Sequence, residues 1–172
     1  MTIAFQLNGS DVSVAIEPRH TLAEVLTRKL RLTGTKVSCE AEVCGACTVL
    51  VDGLPVSACT YLAYEARDKK VTTIEGLEDQ SGRLHPLQQA FIDEFAFQCG
   101  YCTPGMILSA KALLDENVDP SDEEITAHMD GNICRCTGYL PIMKAIRRAA
   151  TVAMRSDRVF SISSFHFLQN QR

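Results

Sequence analysis

Cys39-Glu40-Ala41-Glu42-Val43-Cys44-Gly45-Ala46-Cys47 is the stretch on which the reading of this chain turns. Three thiols, separated by four residues and then by two, must converge from one short segment, so the backbone has to curl tightly around what they hold. Gly45 and Ala46 are small enough to let the chain pass close by, and a curled backbone turns its N–H groups toward negative charge. The four-then-two spacing is that of three ligands to a [2Fe–2S] core. A fourth thiolate must arrive from elsewhere, and Cys59 is the candidate nearby. Such a core is anionic in both oxidation states, so Glu40 and Glu42 are expected to point away from it. Structural zinc favours two separated cysteine pairs, which this triple does not supply. A Rieske centre needs two histidines, and His20 and His85 do not lie among these cysteines.

The remaining four cysteines form a second group, Cys99-x2-Cys102 and Cys134-x-Cys136. Cys102 stands immediately before Thr103-Pro104, a helix start. Cys136 stands just before Thr137-Gly138-Tyr139 and another helical pattern. Two helix N-termini, each a partial positive charge, would face an anionic cluster there. By spacing alone this group is less specific than the first, and zinc remains a competing reading for it. A second redox centre would make a short relay for single electrons.

Outward from the cysteines, the chain divides in two. In the first half Ile3–Leu7 and Val12–Ile16 alternate as strands, with Asn8-Gly9-Ser10-Asp11 as the turn. Thr21-Leu-Ala-Glu24 is a capping box that opens a helix with Leu22, Val25, Leu26 and Leu30 on one face, and Gly34 lies just past it. Thr48–Val51 is a short strand ended by Asp52-Gly53, and Val71–Ile74 is a last β-rich segment. Hairpin, helix and further strands follow the order of a β-grasp ferredoxin. A polar stretch around Glu78–Gly82 reads as a linker.

The second half reads as all-helical. Pro86 fits a first helical turn, with Leu87, Ala90, Phe91 and Phe95 sharing a face. Thr103-Pro104 opens a helix with Met106, Ile107, Ala110, Leu113 and Leu114 inward. Ser121-Asp-Glu-Glu124 is a second capping box, with Ile125 and Met129 one turn apart and Gly131 as the stop. Leu140–Met154 is a fourth helix, with Ile142, Ile146, Ala149 and Ala153 facing in and Lys144, Arg147 and Arg148 facing water. The expected fold is α+β: a β-grasp plant-type ferredoxin-like domain over residues 1–77, an all-α four-helix-bundle domain over 83–155, and a tail over 156–172. That segment is expected as a poorly ordered tail, with Phe160, Phe165 and Phe167 as the alternative of a clamp on a partner subunit.

The bulk numbers narrow the class. The 172 residues carry a net charge of −4, with no basic block to mark nucleic acid or an anionic membrane as partner. No apolar run reaches the length of a membrane span, and the first residues show no secretory h-region. Eight cysteines in this length fall below the density of a disulfide scaffold. A reducing cytoplasm is the expected setting, in which clustered cysteines are metal ligands; a partner carrying its own export signal could still take the chain across a membrane.

Three motifs, read together, resemble one family: Cys39-Glu-Ala-Glu-Val-Cys44-Gly-Ala-Cys47-Thr-Val, Gln98-Cys99-Gly-Tyr-Cys102-Thr-Pro-Gly-Met, and Gly131-Asn-Ile-Cys134-Arg-Cys136-Thr-Gly-Tyr. The chain resembles the small iron–sulfur subunit of the molybdenum hydroxylases, the xanthine oxidase family, in its bacterial separate-subunit form, over about residues 3–153. The resemblance implies a [2Fe–2S] cluster in each domain, ligated by Cys39, Cys44, Cys47 and Cys59 and by Cys99, Cys102, Cys134 and Cys136. It implies a large partner with a molybdopterin cofactor, as its cytosine dinucleotide, and a medium partner with FAD. Positions Gln98 and Cys136 would lie near the pterin, and electrons would reach the Cys99–Cys136 site first. The chain itself would carry no catalytic residue, serving as the electron-transfer subunit of a heterotrimer. Two other readings stand beside this one, a free-standing two-cluster ferredoxin and a zinc-stabilised interaction protein.

Overall fold

The computed structural model describes residues 1–79 and 81–152. It begins with strands β1 (Thr2–Leu7) and β2 (Ser10–Ala15), antiparallel and joined at Asn8-Gly9. Both turn residues have positive φ, 50° and 83°, the mirror-image turn that matches strand twist and that Asn-Gly adopts at low cost. Asp52-Gly53 repeats the device, with φ 51° and 84°, between β3 (Thr48–Val51) and β4 (Leu54–Ser57). β5 (Lys70–Thr72) runs parallel to β1 and antiparallel to β3. The result is a five-stranded mixed sheet in the order β2-β1-β5-β3-β4. β4 is absent from the sequence-based expectation; it contains Pro55 and sits on the sheet edge, where proline is tolerated.

The Thr21–Glu24 capping box forms, but the helix it opens differs from expectation. α1 covers only Leu22–Glu24 and passes into a π-helical turn over Val25–Lys29, closed by Leu30 N–H donating to the Val25 carbonyl at 3.0 Å. Leu22, Val25 and Leu26 are still buried against the sheet with Ile3, Phe5 and Val49.

Four helical segments follow: α2 (Pro86–Asp93), α3 (Thr103–Glu116), α4 (Asp122–Met129) and α5 (140–152). Leu87, Phe91, Met106, Leu108, Ile125, Ile142 and Ile146 form their common core. Two expectations need correction. Phe95 does not share the face of Phe91: α2 stops at Asp93, and Phe95 takes a left-handed φ of 51° and is 81% exposed. Arg147 and Arg148 do not simply face water. Arg147 pairs with Asp122 and donates to the Pro120 carbonyl at 3.1 Å, and Arg148 pairs with Asp93 at 2.7 Å and Glu94 at 3.0 Å, so both tie α5 to its neighbours. These pairs are solvated and contribute little each. His85 caps α2: its Nδ1 accepts from Leu87 N–H at 3.2 Å. Ala153 and the tail over 156–172 lie outside the described residues.

β3 joins the two halves. All four of its residues are buried, and they alternate. Val49 and Val51 enter the sheet's core, while Leu50 enters the helical core with α3. α3 accordingly buries Gly105 through Ala110 without a break, since it meets the sheet on one side and other helices on the other. This packing brings the start of α3, at Gly105, against Gly45 and Ala46 of the Cys39–Cys47 loop. Among the described residues no helix is long and apolar enough to cross a membrane.

Candidate metal centres

All eight cysteines are free thiols. The first four lie where the Cys39–Cys47 loop meets the segment after β4. The loop curls through left-handed residues, Glu40 (φ 54°), Glu42 (59°) and Gly45 (65°), which repeatedly flip the peptide planes. Three N–H groups consequently point at one sulfur: those of Ala41, Val43 and Cys44 donate to Cys39 Sγ at 3.4, 3.5 and 3.4 Å. This is a backbone nest for an anion. Glu40 and Glu42 are exposed, and Glu42 accepts from the Thr60 hydroxyl at 3.3 Å.

Cys39 lies beside Cys44 and Cys47 beside Cys59, with Cys44 close enough to Cys47 to act on it as well. Cys39 and Cys47 differ in acidity. The N–H groups of Ala41, Val43 and Cys44 pull the exposed Cys39 thiol down to about 6. Burial, together with Cys59 beside it, pushes the Cys47 thiol up to about 12.

The second site repeats the plan. Cys99 and Cys136 are exposed with their sulfurs 3.6 Å apart, and the inner pair is Cys102 with Cys134. Cys102 is the N-cap residue of α3, as its place before Thr103-Pro104 leads one to expect. Burial and the neighbouring Cys134 raise the Cys102 thiol to about 12. Burial would raise Cys134 as well, but the Thr137 hydroxyl at 3.1 Å and N–H at 3.4 Å outweigh it and lower that thiol. Cys134 N–H donates to the Tyr139 hydroxyl at 3.0 Å, and Gly138 and Tyr139 both take positive φ to turn the chain into α5. Gln98 is exposed beside Cys99. Among the described residues no three His, Cys, Asp or Glu side chains gather around a position for one metal ion.

In metal-free protein at pH 7 this geometry orders thiol reactivity. Iodoacetamide should label Cys39 first, because it is exposed and largely thiolate above about 6, and label Cys47 and Cys102 last. Lowering the pH to 5 should abolish the head start of Cys39. Mass spectrometry of timed aliquots checks this; equal labelling of Cys39 and Cys47 at pH 7 would contradict it.

Two family models match the chain, a 2Fe-2S iron–sulfur cluster binding domain over residues 5–81 and a [2Fe-2S] binding domain over residues 73–147. The chain is 50% identical over 149 residues to the nicotinate dehydrogenase small FeS subunit of Eubacterium barkeri, covering 87% of this chain and 94% of that one. It belongs to the small iron–sulfur subunits of the xanthine oxidase family. The nicotine 6-hydroxylase small subunit of Paenarthrobacter nicotinovorans is 45% identical over 144 residues, covering 84% of this chain and 86% of that one. Among solved structures, quinoline 2-oxidoreductase from Pseudomonas putida 86 superposes with a TM-score of 0.86 at 44% identity, covering 90% of this chain and 96% of that chain. The aldehyde oxidoreductase of Desulfovibrio desulfuricans superposes with a TM-score of 0.85 at 46% identity, covering 89% of this chain but only 17% of that one. In that relative the counterpart of this chain is thus one part of a longer polypeptide. Membership makes this iron–sulfur protein an electron-transfer component of a molybdenum-containing oxidoreductase.

Three features of the sites escape sequence reasoning. The approach of Cys59 to Cys47, the Thr137 contacts to Cys134 and the seam between the two cysteine loops all join residues whose approach only the fold creates. Thr137 alone left a trace, as a hydroxyl three residues from a ligand.

Proposed function

We propose that Cys39, Cys44, Cys47 and Cys59 hold one [2Fe–2S] cluster and Cys99, Cys102, Cys134 and Cys136 a second. The observation that carries this assignment is the pairing of eight free thiols into four pairs at two places. A two-iron core takes two protein thiolates on each iron, whereas one zinc ion takes all four donors at one point. When bound, the clusters supply one-electron redox chemistry between a two-electron molybdenum centre and a separate acceptor.

The chain's own groups suit that task. The N–H donors on Cys39 and the Thr137 donors on Cys134 stabilise thiolate charge. Burial of Cys47 and Cys102 keeps water from the inner side of each site. In each site the other pair faces outward, where a partner's cofactor can approach. In this reading residues 1–77 form a β-grasp domain and residues 83–155 a four-helix domain, which the five-stranded sheet, the helical segments and the two matched regions support. The partners are a large chain with molybdopterin cytosine dinucleotide and a medium chain with FAD. Gln98 and Cys136 face the pterin, since both are exposed at the outer edge of the second site. The setting is cytoplasmic, the compartment in which clustered cysteines serve as metal ligands.

Isolation of the affinity-tagged chain from its native cells tests the assembly. A molybdenum-bearing chain and a flavin-bearing chain should accompany it at equal stoichiometry. A chain that is isolated alone, with both clusters intact, would be a free-standing ferredoxin instead.

A further inference from the structure

The two cysteine loops are bonded to each other. Ile133 N–H donates to the Cys44 carbonyl at 2.9 Å. Beside it, the Asn132 side-chain amide donates to the Gly45 carbonyl at 3.0 Å and lies 3.4 Å from the Thr48 hydroxyl, which itself donates to Gly45 at 2.8 Å. On the other flank, Tyr101 of the Cys99–Cys102 motif donates its hydroxyl to the Val37 carbonyl at 2.6 Å. Backbones touch along this line. A Cβ at Gly105 would strike the Gly45 carbonyl oxygen and lie 3.1 Å from that of Ala46, and a Cβ at Gly45 would strike the Gly131 carbonyl. Asn132 is 5% exposed, and every neighbour its amide donates to belongs to the first loop or to β3 next to it.

Asn132 is thus a buried polar side chain spent on contacts 84 and 87 residues away in sequence. Such a group costs stability unless satisfied, and here it is satisfied only when the two loops are in register. The hydrogen bond it flanks joins the two cysteine loops backbone to backbone. Cys44 ends in the accepting carbonyl, and the donating N–H of Ile133 is one residue from Cys134.

We infer that Asn132 is a positioning residue for inter-site electron transfer, fixing the Cys44 carbonyl on the Ile133 N–H so that the Cys134 site and the Cys44 site are coupled through one hydrogen bond. This rests on the assignment of a [2Fe–2S] cluster to each site. One electron crossing the seam oxidises iron on the Cys134 side and reduces iron on the Cys44 side by one unit each, and no bond is made or broken.

The test uses Asn132→Ala in the full chain, with Tyr101→Phe as a second variant that loosens the other flank without adding bulk. In the fully reduced protein at low temperature, the wild type should show two EPR signals split by mutual spin coupling. Asn132→Ala should keep both signals and lose at least half of the splitting. Tyr101→Phe should lose less. Hydrogen exchange supplies a readout in cluster-free protein: the Ile133 amide should exchange about tenfold faster in Asn132→Ala, the loss expected for one hydrogen bond's support. Unchanged splitting with unchanged Ile133 protection would overturn the inference while leaving the two clusters standing. Absence of two signals from the wild type would instead remove the cluster assignment on which the inference rests.

Discussion

Replacing Cys102 by serine should halve the iron content of the chain, from about four to about two per molecule, and erase one of its two EPR signals while sparing the other. Cys102 is the inner member of the second site, sharing its contact with Cys134 at the start of α3. Serine matches the thiol in volume and can still serve at an N-cap, so the helix should form and the defect should stay local. The Cys39–Cys47 loop holds its own donors and its own fold. Its thiols pair among themselves and with Cys59, so its signal should persist, without the splitting that the second cluster imposes in the wild type. Cys44→Ser should give the mirror result, losing the first signal and keeping the second. Loss of both signals from either change would mean that the sites are not independent. Loss of neither would mean that these cysteines are not ligands.

Gly105→Val should be the most damaging change to stability on the seam. Gly105 lies in the first turn of α3 with its Cα against the carbonyls of Gly45 and Ala46. The side chain has no direction in which to yield, because the obstacle is backbone on a loop that must itself stay curled. Overpacking of this kind costs about 3 kcal/mol. For a chain of this size that corresponds to a fall in melting temperature of roughly 6–12 °C. Differential scanning calorimetry of the cluster-loaded protein measures it, and a melting point within about 1 °C of the wild type would show that α3 and the loop can separate freely.

Much of the fold was legible locally. Asn8-Gly9 and Asp52-Gly53 announce their turns because few other residues accept positive φ twice in succession. The Thr21–Glu24 and Ser121–Glu124 boxes announce helix starts because both partners lie within one turn. The cysteine spacing announces the first site because the loop geometry is encoded in the loop itself. What the sequence hides is set by distance. β4 contains Pro55, whose tolerance depends on being at a sheet edge. The exposure of Phe95 follows from where α2 stops, and its apolar character pointed the other way. The ion pairs of Arg147 and Arg148 need α4 and α2 to arrive alongside α5. Asn132 looks like any loop amide until the fold lays it against Gly45.

Iron and acid-labile sulfide analysis of the purified chain, with EPR of the dithionite-reduced protein, tests the two-cluster assignment most directly. The expected result is about four irons and about four sulfides per chain, with two distinct one-electron signals. Zinc in place of iron, or about two irons with a single signal, would contradict it.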